Sequence, residues 1–456
     1  MKNRAVADNL VPILKIFPWL VLAGIAAHLL RNDIYRVIHA NTDAKQLNVA
    51  YYAGLIGLLG YLSYSLARGT SIPSFVTALL TGIAAQPLLQ PIADHHDVLG
   101  EIVSIAAALI LFQGGLETDF RNFRRLIWKI ALLAFPGVLL TAVLMSAAIS
   151  VSSAVIGTAV SSTVAVLLGA ILASTDPASV IPLFQGLEFK ESATKDIIVS
   201  ESAMNDVVGA ILTLSLVGFV TTSGAFSGIA NGYSHLFALG NVTVLSKELG
   251  FGILAGAVGF AFLHLFSRHT KSHGVESGAH AIAFLAIILL TFYIAVVLEG
   301  SGYLAAFIAG LVFQVAGHLH STEHFFGGVI EGIAKPSIFL LLGALVDLPS
   351  LVRYAPIGIL VGVVFMLIIR PIAVFSMVGF FARFGKERLS VNQLLFISFI
   401  RETGAIPAVL LVTVSNLNIP GTDSLVPIGM WVILLTLILE PVSTPFVARR
   451  LGLVET

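Results

Sequence analysis

Ser200-Glu201-Ser202-Ala203-Met204-Asn205-Asp206 runs directly into an apolar stretch, VVGAILTLSLVGFV, over residues 207–220. That stretch has 14 residues. At 1.5 Å per residue a helix covers about 21 Å with it, well short of the roughly 30 Å hydrocarbon core of a bilayer. If the segment crosses a membrane, the polar heptad must lie inside. An interfacial helix start is the plain alternative, since Lys195 and Asp196 lie just upstream, but the apolar shortfall weighs against it. Glu201 with Asn205, and Ser202 with Asp206, stand four residues apart, so neighbouring faces of one helix carry them.

Composition says that the chain does cross. Of its 456 residues 57% are hydrophobic and 11% charged, and the mean hydropathy is +0.97. A soluble domain carries about 25% charged residues. The 25 basic and 25 acidic side chains cancel, which excludes nucleic acid as a partner, because phosphate binding needs a basic excess. With no cysteine, disulfides, thiolate metal sites and thiol chemistry are excluded. Some fourteen segments reach spanning length, near 10–30, 47–67, 72–90, 98–117, 126–149, 159–185, 194–221, 245–267, 278–298, 301–317, 328–346, 354–382, 391–414 and 424–447. None alternates as a barrel strand would. The expected fold is an all-α polytopic membrane protein of about 13–14 transmembrane helices. The first apolar run holds Pro12, Lys15 and Pro18 with no small-residue cleavage site after it, so it reads as a retained span. With both termini cytoplasmic, 15 loop Lys and Arg fall inside and five (Arg31, Arg36, Lys45, Lys247, Arg353) outside, the bias of the positive-inside rule.

Three pairs of segments recur at nearly one offset. PSFVTALLTGIAAQP around Gly82 resembles SGYLAAFIAGLVFQV around Gly310, 228 residues on. LILFQGGLETDF around Gly114 resembles FLLLGALVDLPS around Gly343, 229 on, and the polar break at Thr175-Asp176-Pro177 matches Arg401-Glu402-Thr403-Gly404. Seven spans separate the copies, so they are inverted, and inverted repeats with interrupted helices and a midplane site are the architecture of secondary transporters. The expected organisation is an N-terminal span and loop over 1–46, a first repeat over 47–221, a linker span over 222–277, a second repeat over 278–447 and a cytoplasmic tail over 448–456.

Ionisable groups inside spans are costly and mark function by default. In Ala173-Ser174-Thr175-Asp176-Pro177 the proline frees carbonyls, and Thr175 and Asp176 add oxygens of the kind that hold monovalent cations. A helix-terminal Asp-Pro turn at the surface is the alternative. Arg370, in the apolar stretch 361–378, wants a carboxylate partner, with Glu201 the candidate; snorkelling is the alternative. Arg401-Glu402, before Thr403-Gly404-Ala405-Ile406-Pro407, either marks a second break or neutralises itself. Glu331 with Lys335 reads as a structural pair, and Glu299 and Glu440 as span-end acids.

Taken together, Leu111-Phe112-Gln113-Gly114-Gly115-Leu116, Thr175-Asp176-Pro177, Glu201-Ser202-Ala203-Met204-Asn205-Asp206 and Arg370-Pro371 resemble the monovalent cation:proton antiporter superfamily, on the NhaP and sodium/proton exchanger branch, over about 47–447. The resemblance implies an NhaA-like antiporter fold with two broken crossing helices, and a homodimer. It implies that Asp206 alternately binds Na⁺ or H⁺, with the Thr175 main-chain oxygen and Ser202 completing the cation site and Asp176 in the unwound crossing. It implies a structural ion pair between Glu201 and Arg370. Asn205 stands where the electrogenic branch has a second Asp, implying electroneutral exchange of one Na⁺ for one H⁺. One departure is that the family's Arg in the second broken helix falls on Thr403, with Arg401 and Glu402 just before it.

The residues suggest how exchange would work. Burial disfavours the charged form of a carboxylate, and Na⁺ binds only that form, so cation and proton compete for one site and the competition is the coupling. The expected partners are a monovalent cation, a proton and the lipid bilayer, in a prokaryotic inner membrane, with no cofactor beyond the transported ions. K⁺/H⁺ exchange or K⁺ efflux is the alternative. A membrane-embedded enzyme or sensor using Asp176 and Asp206 is a more distant one, since no nucleophile or metal motif accompanies them.

Overall fold

The computed structural model describes residues 18–29, 49–67, 73–176, 180, 184, 187–273, 278–316, 320–379 and 388–455. Pro177 and most of the N-terminal unit 1–46 lie outside the described residues. The helices are α1 (Pro18–Leu29), α2 (Val49–Ala67), α3 (Ser74–Ala84), α4 (Gln86–Ala93), α5 (His96–Glu117), α6 (Phe120–Ile156), α7 (Ser162–Ile171), α8 (Ser192–Ser223), α9 (Ile229–Ser234), α10 (Leu239–His273), α11 (Gly278–Val297), α12 (Gly302–Ala316), α13 (320–344), α14 (Leu348–Gly379), α15 (Val391–Phe399), α16 (Ala405–Asn416) and α17 (Leu425–Arg450). A helix falls in every one of the fourteen expected segments. Among the described residues seven helices are long and apolar enough to cross a membrane alone; the other segments are short, bent or broken. The chain is thus an all-helical, multi-pass membrane protein.

Prolines explain several departures from straight helices. The span near 72–90 bends by 90° between α3 and α4, where Pro87 has no N–H to continue the ladder. Three prolines within longer helices are accompanied by π turns, which absorb the missing bond. Pro136 lies within one at Leu133–Gly137, while Pro336 and Pro371 follow others at Ile330–Ala334 and Phe365–Ile369. Helix starts are capped in the ordinary way. Asp119 accepts from the Arg121 and Asn122 amides, Ser161 from Val164, and Ser390 forms a capping box with Gln393.

The repeat shows itself as two reciprocal joints. A Cβ on Gly82 would lie 2.2 Å from Leu340 O, and one on Gly343 2.3 Å from Leu79 O. Likewise a Cβ on Gly115 would lie 2.2 Å from Phe307 O, and one on Gly310 2.2 Å from Phe112 O. In each case glycine approaches the carbonyl three residues before its partner glycine, so α3 clasps α13 as α12 clasps α5. Only glycine lets helices approach this closely. The contact also corrects the alignment by one residue: Gly115, rather than Gly114, is the counterpart of Gly343. The three offsets then agree, since 310 − 82, 343 − 115 and 404 − 176 all equal 228.

Candidate functional site

The site lies where the two broken helices meet. α7 ends at Ile171, and the chain through Thr175 and Asp176 is not helical; the second break covers 400–404, between α15 and α16. They bond directly. The Asp176 amide donates to Glu402 O at 2.9 Å, and the Asp176 carboxylate accepts from the Ala405 amide at 3.0 Å. Asp176 from one half therefore caps the first turn of a helix from the other, and a carboxylate there also complements the helix dipole. Gly404 makes this possible, because a Cβ on it would stand 2.2 Å from Asp176 Oδ2.

α8 passes alongside. It has 32 residues, about 48 Å of helix, and Asp206 lies near its middle. Glu201, Ser202, Asn205 and Asp206 are all buried to 2% exposure or less, on the faces that their i, i+4 spacing sets. Asn205 holds the group together: its Nδ2 donates to Glu201 Oε1 at 2.7 Å and to Thr175 Oγ1 at 3.3 Å. The Thr175 hydroxyl donates to Ser202 Oγ at 3.0 Å. The Arg370 guanidinium donates to both Glu201 oxygens, and both residues are buried. One continuous network thus joins the first break, α8 and α14. Asp206 sits one turn beyond Ser202 on the same face, with Oδ1 buried and without a hydrogen-bond partner among the described residues. One turn further, Gly209 lets the helix touch the break, since a Cβ there would meet Ser174 Cβ at 2.9 Å.

Arg401 and Glu402 do not neutralise each other. The Arg401 guanidinium lies 3.6 Å from the centroid of the Phe365 ring, a cation–π stack, and its amide donates to Glu440 Oε2 at 2.8 Å. Both Glu402 carboxylate oxygens are buried without a hydrogen-bond partner among the described residues. Thr403, where the family has Arg, pairs its hydroxyl with that of Thr436 on α17 at 2.6 Å. Glu440 corrects the sequence expectation: it is fully buried against the crossing, because α17 runs on to Arg450 rather than ending beside it. Lys335 pairs with Glu331, as expected, and is 3% exposed; it stands within electrostatic range of Asp176 and Glu117. Its sequence signal is the dipeptide Lys335-Pro336, which parallels Arg370-Pro371.

Two unwound segments crossing beside a buried carboxylate, inside an inverted pair of helical repeats, define a secondary transporter of the antiporter fold. The chain belongs to the sodium/hydrogen exchanger family, on the NhaP branch of the monovalent cation:proton antiporters; the family's "Sodium/hydrogen exchanger, transmembrane" profile matches residues 54–450. It is similar to the K(+)/H(+) antiporter NhaP of Alkalimonas amylolytica, 26% identical over 408 residues that cover 88% of this chain and 66% of that protein. It is also similar to the Na(+)/H(+) antiporter ApNhaP of Aphanothece halophytica, 25% identical over 77% of this chain and 65% of that one. The chain thus spans about two-thirds of the length of these relatives. Its fold matches the sodium proton antiporter MjNhaP1 of Methanocaldococcus jannaschii with a TM-score of 0.70, at 23% identity, over 88% of this chain and 98% of that one.

Proposed function

We propose that the chain is a secondary active transporter that exchanges Na⁺ or Li⁺ for H⁺, one for one, by competition of cation and proton for Asp206. The observation that carries this is Asp206 itself, an acid buried at mid-helix, one turn beyond Ser202 and with an Oδ1 that has no hydrogen-bond partner among the described residues. A proton or a monovalent cation neutralises it equally well, and the unloaded carboxylate is an isolated buried charge that crosses poorly. Alternating exposure of the loaded site then gives antiport and serves pH homeostasis. Asn205 supports electroneutrality, because its amide is committed to Glu201 and Thr175 and adds no second charge. The Glu201–Arg370 pair has a structural role, and Arg401 and Glu402 shape the second broken helix.

The test is Asp206→Asn in proteoliposomes with an internal pH dye. Coupled proton flux is lost if the reading holds, and normal cation-driven flux in this variant would sink it. A second cation is in play because the Alkalimonas amylolytica relative is named for K⁺. A panel of Na⁺, Li⁺ and K⁺, with and without an imposed membrane potential, separates the two and checks the one-for-one count.

In this reading the chain sits in a bacterial inner membrane with both termini cytoplasmic, and the positive-inside bias of its loops supports that orientation. A homodimer through the outer helices fits the exposure of α10: 28% of its apolar window is buried, against 67% for α8.

A further inference from the structure

Two basic side chains are buried in the core in the same local setting, directly after a π turn and directly before a proline: Arg370 in α14 and Lys335 in α13. They differ in what neutralises them. The partner of Arg370, Glu201, is itself 1% exposed, so that pair cancels inside the protein. The partner of Lys335, Glu331, is 49% exposed, so the acid lies on the outer side of the ammonium and the core meets the ammonium first. The pair is therefore a dipole whose positive end faces the interior.

Carboxylates line that interior side. α13 packs against α3, α5 and α16. The last residue of α5 is Glu117, whose Oε1 accepts from Gln113 Nε2 at 2.6 Å and whose buried Oε2 has no hydrogen-bond partner among the described residues. Lys335 is in electrostatic range of Glu117 and Asp176, and Asp206 is in range of Lys335. These, with Glu331, are the charged groups that face it among the described residues.

We infer that Lys335 is a tethered competitor for the transported cation: its ammonium sets how tightly the carboxylates at the crossing hold that cation, and Glu331 sets how much of the ammonium's charge they feel. This rests on the antiport reading of Asp206. A monovalent cation entering the site meets a like charge already in place. Removing that charge strengthens cation binding. Removing Glu331 strips the ammonium of its counter-charge and weakens cation binding. A pair that served only to hold α13 together would give both substitutions the same sign.

The test is equilibrium binding of radioactive sodium, and of rubidium as the K⁺ surrogate, to the purified full chain at alkaline pH, where protons compete least. KM for exchange in proteoliposomes accompanies it. Lys335→Gln should tighten binding on the order of tenfold, the size expected of a unit charge about 10 Å away at an effective dielectric near 20. Glu331→Gln should loosen binding, and Lys335→Arg should keep the wild-type value. Equal signs for Lys335→Gln and Glu331→Gln, or unchanged affinity in both, overturn the inference. If Lys335→Gln does not fold, Glu331→Gln decides alone, and tighter or unchanged binding overturns it. Wild type that binds a cation without coupled proton flux refutes the antiport reading and leaves the binding comparison standing; wild type that binds neither ion refutes both.

Discussion

Breaking the Glu201–Arg370 pair should be far costlier than removing it whole. Both residues are at most 2% exposed, so Arg370→Met leaves Glu201 as an uncompensated buried anion, with Asn205 Nδ2 at 2.7 Å as its remaining donor among the described residues. Removing one partner of a buried pair costs about 3–5 kcal/mol, whereas apolar replacement of both is often close to neutral. Glu201→Gln alone strands the guanidinium, at a similar cost. The double variant Glu201→Gln/Arg370→Met removes both charges and keeps an amide oxygen to accept from Asn205 Nδ2, leaving the new amide N–H group without a partner and imperfect packing, about 1–2 kcal/mol. The expected coupling energy is therefore at least about 4 kcal/mol. Unfolding titrations of the four proteins in mixed micelles measure it. Single variants within about 1 kcal/mol of wild type, or a double variant as unstable as the sum of the singles, would refute the reasoning. Loss of exchange in Arg370→Met with an unaltered unfolding curve would move the pair from a structural to a transport role.

Gly404→Ala should abolish exchange and destabilise the fold, because its Cβ falls 2.2 Å from Asp176 Oδ2 and the cap on α16 cannot stay in place; transport assays with a melting curve check it, and full activity would contradict the crossing geometry. Gly310→Ala should cost roughly 3 kcal/mol or more as overpacking of the α5–α12 joint, read as loss of folded protein by size-exclusion fluorescence. Asp347, exposed at the start of α14, is held below the usual aspartate range by hydrogen bonds from the Ser350 hydroxyl and then its amide. A depressed carboxylate stabilises above its unfolded pKa and loses that contribution as pH falls through the folded value. Asp347→Ala should therefore cost about 1 kcal/mol near neutral pH and progressively less below about pH 4, measured as unfolding midpoints against pH.

How much of the site could be read beforehand depended on geometry local to one helix. The polar heptad was legible because i, i+4 spacing maps directly onto helix faces, and Arg370 could be matched to Glu201 because a lone cation in an apolar span needs an acid. Arg401 and Glu402 stayed ambiguous because adjacency suggests a pair, while the structure turns the Arg401 guanidinium onto Phe365 and buries Glu402 apart from it. Lys335 hid in an i, i+4 spacing that also describes a solvated pair; only the packing of α13 shows that one partner is buried and the other exposed. Gly114 and Gly115 cannot be told apart in text, since the choice depends on which of them faces another helix.

The two glycine joints bear on how the molecule can be assembled. Each is made of one helix from either side of residue 224, so neither part of the chain carries a finished surface. Cut in the loop between α8 and α9, the chain would yield two fragments with matching unfilled grooves. Each alone should be degraded, and the two expressed together should find each other and restore the ion path.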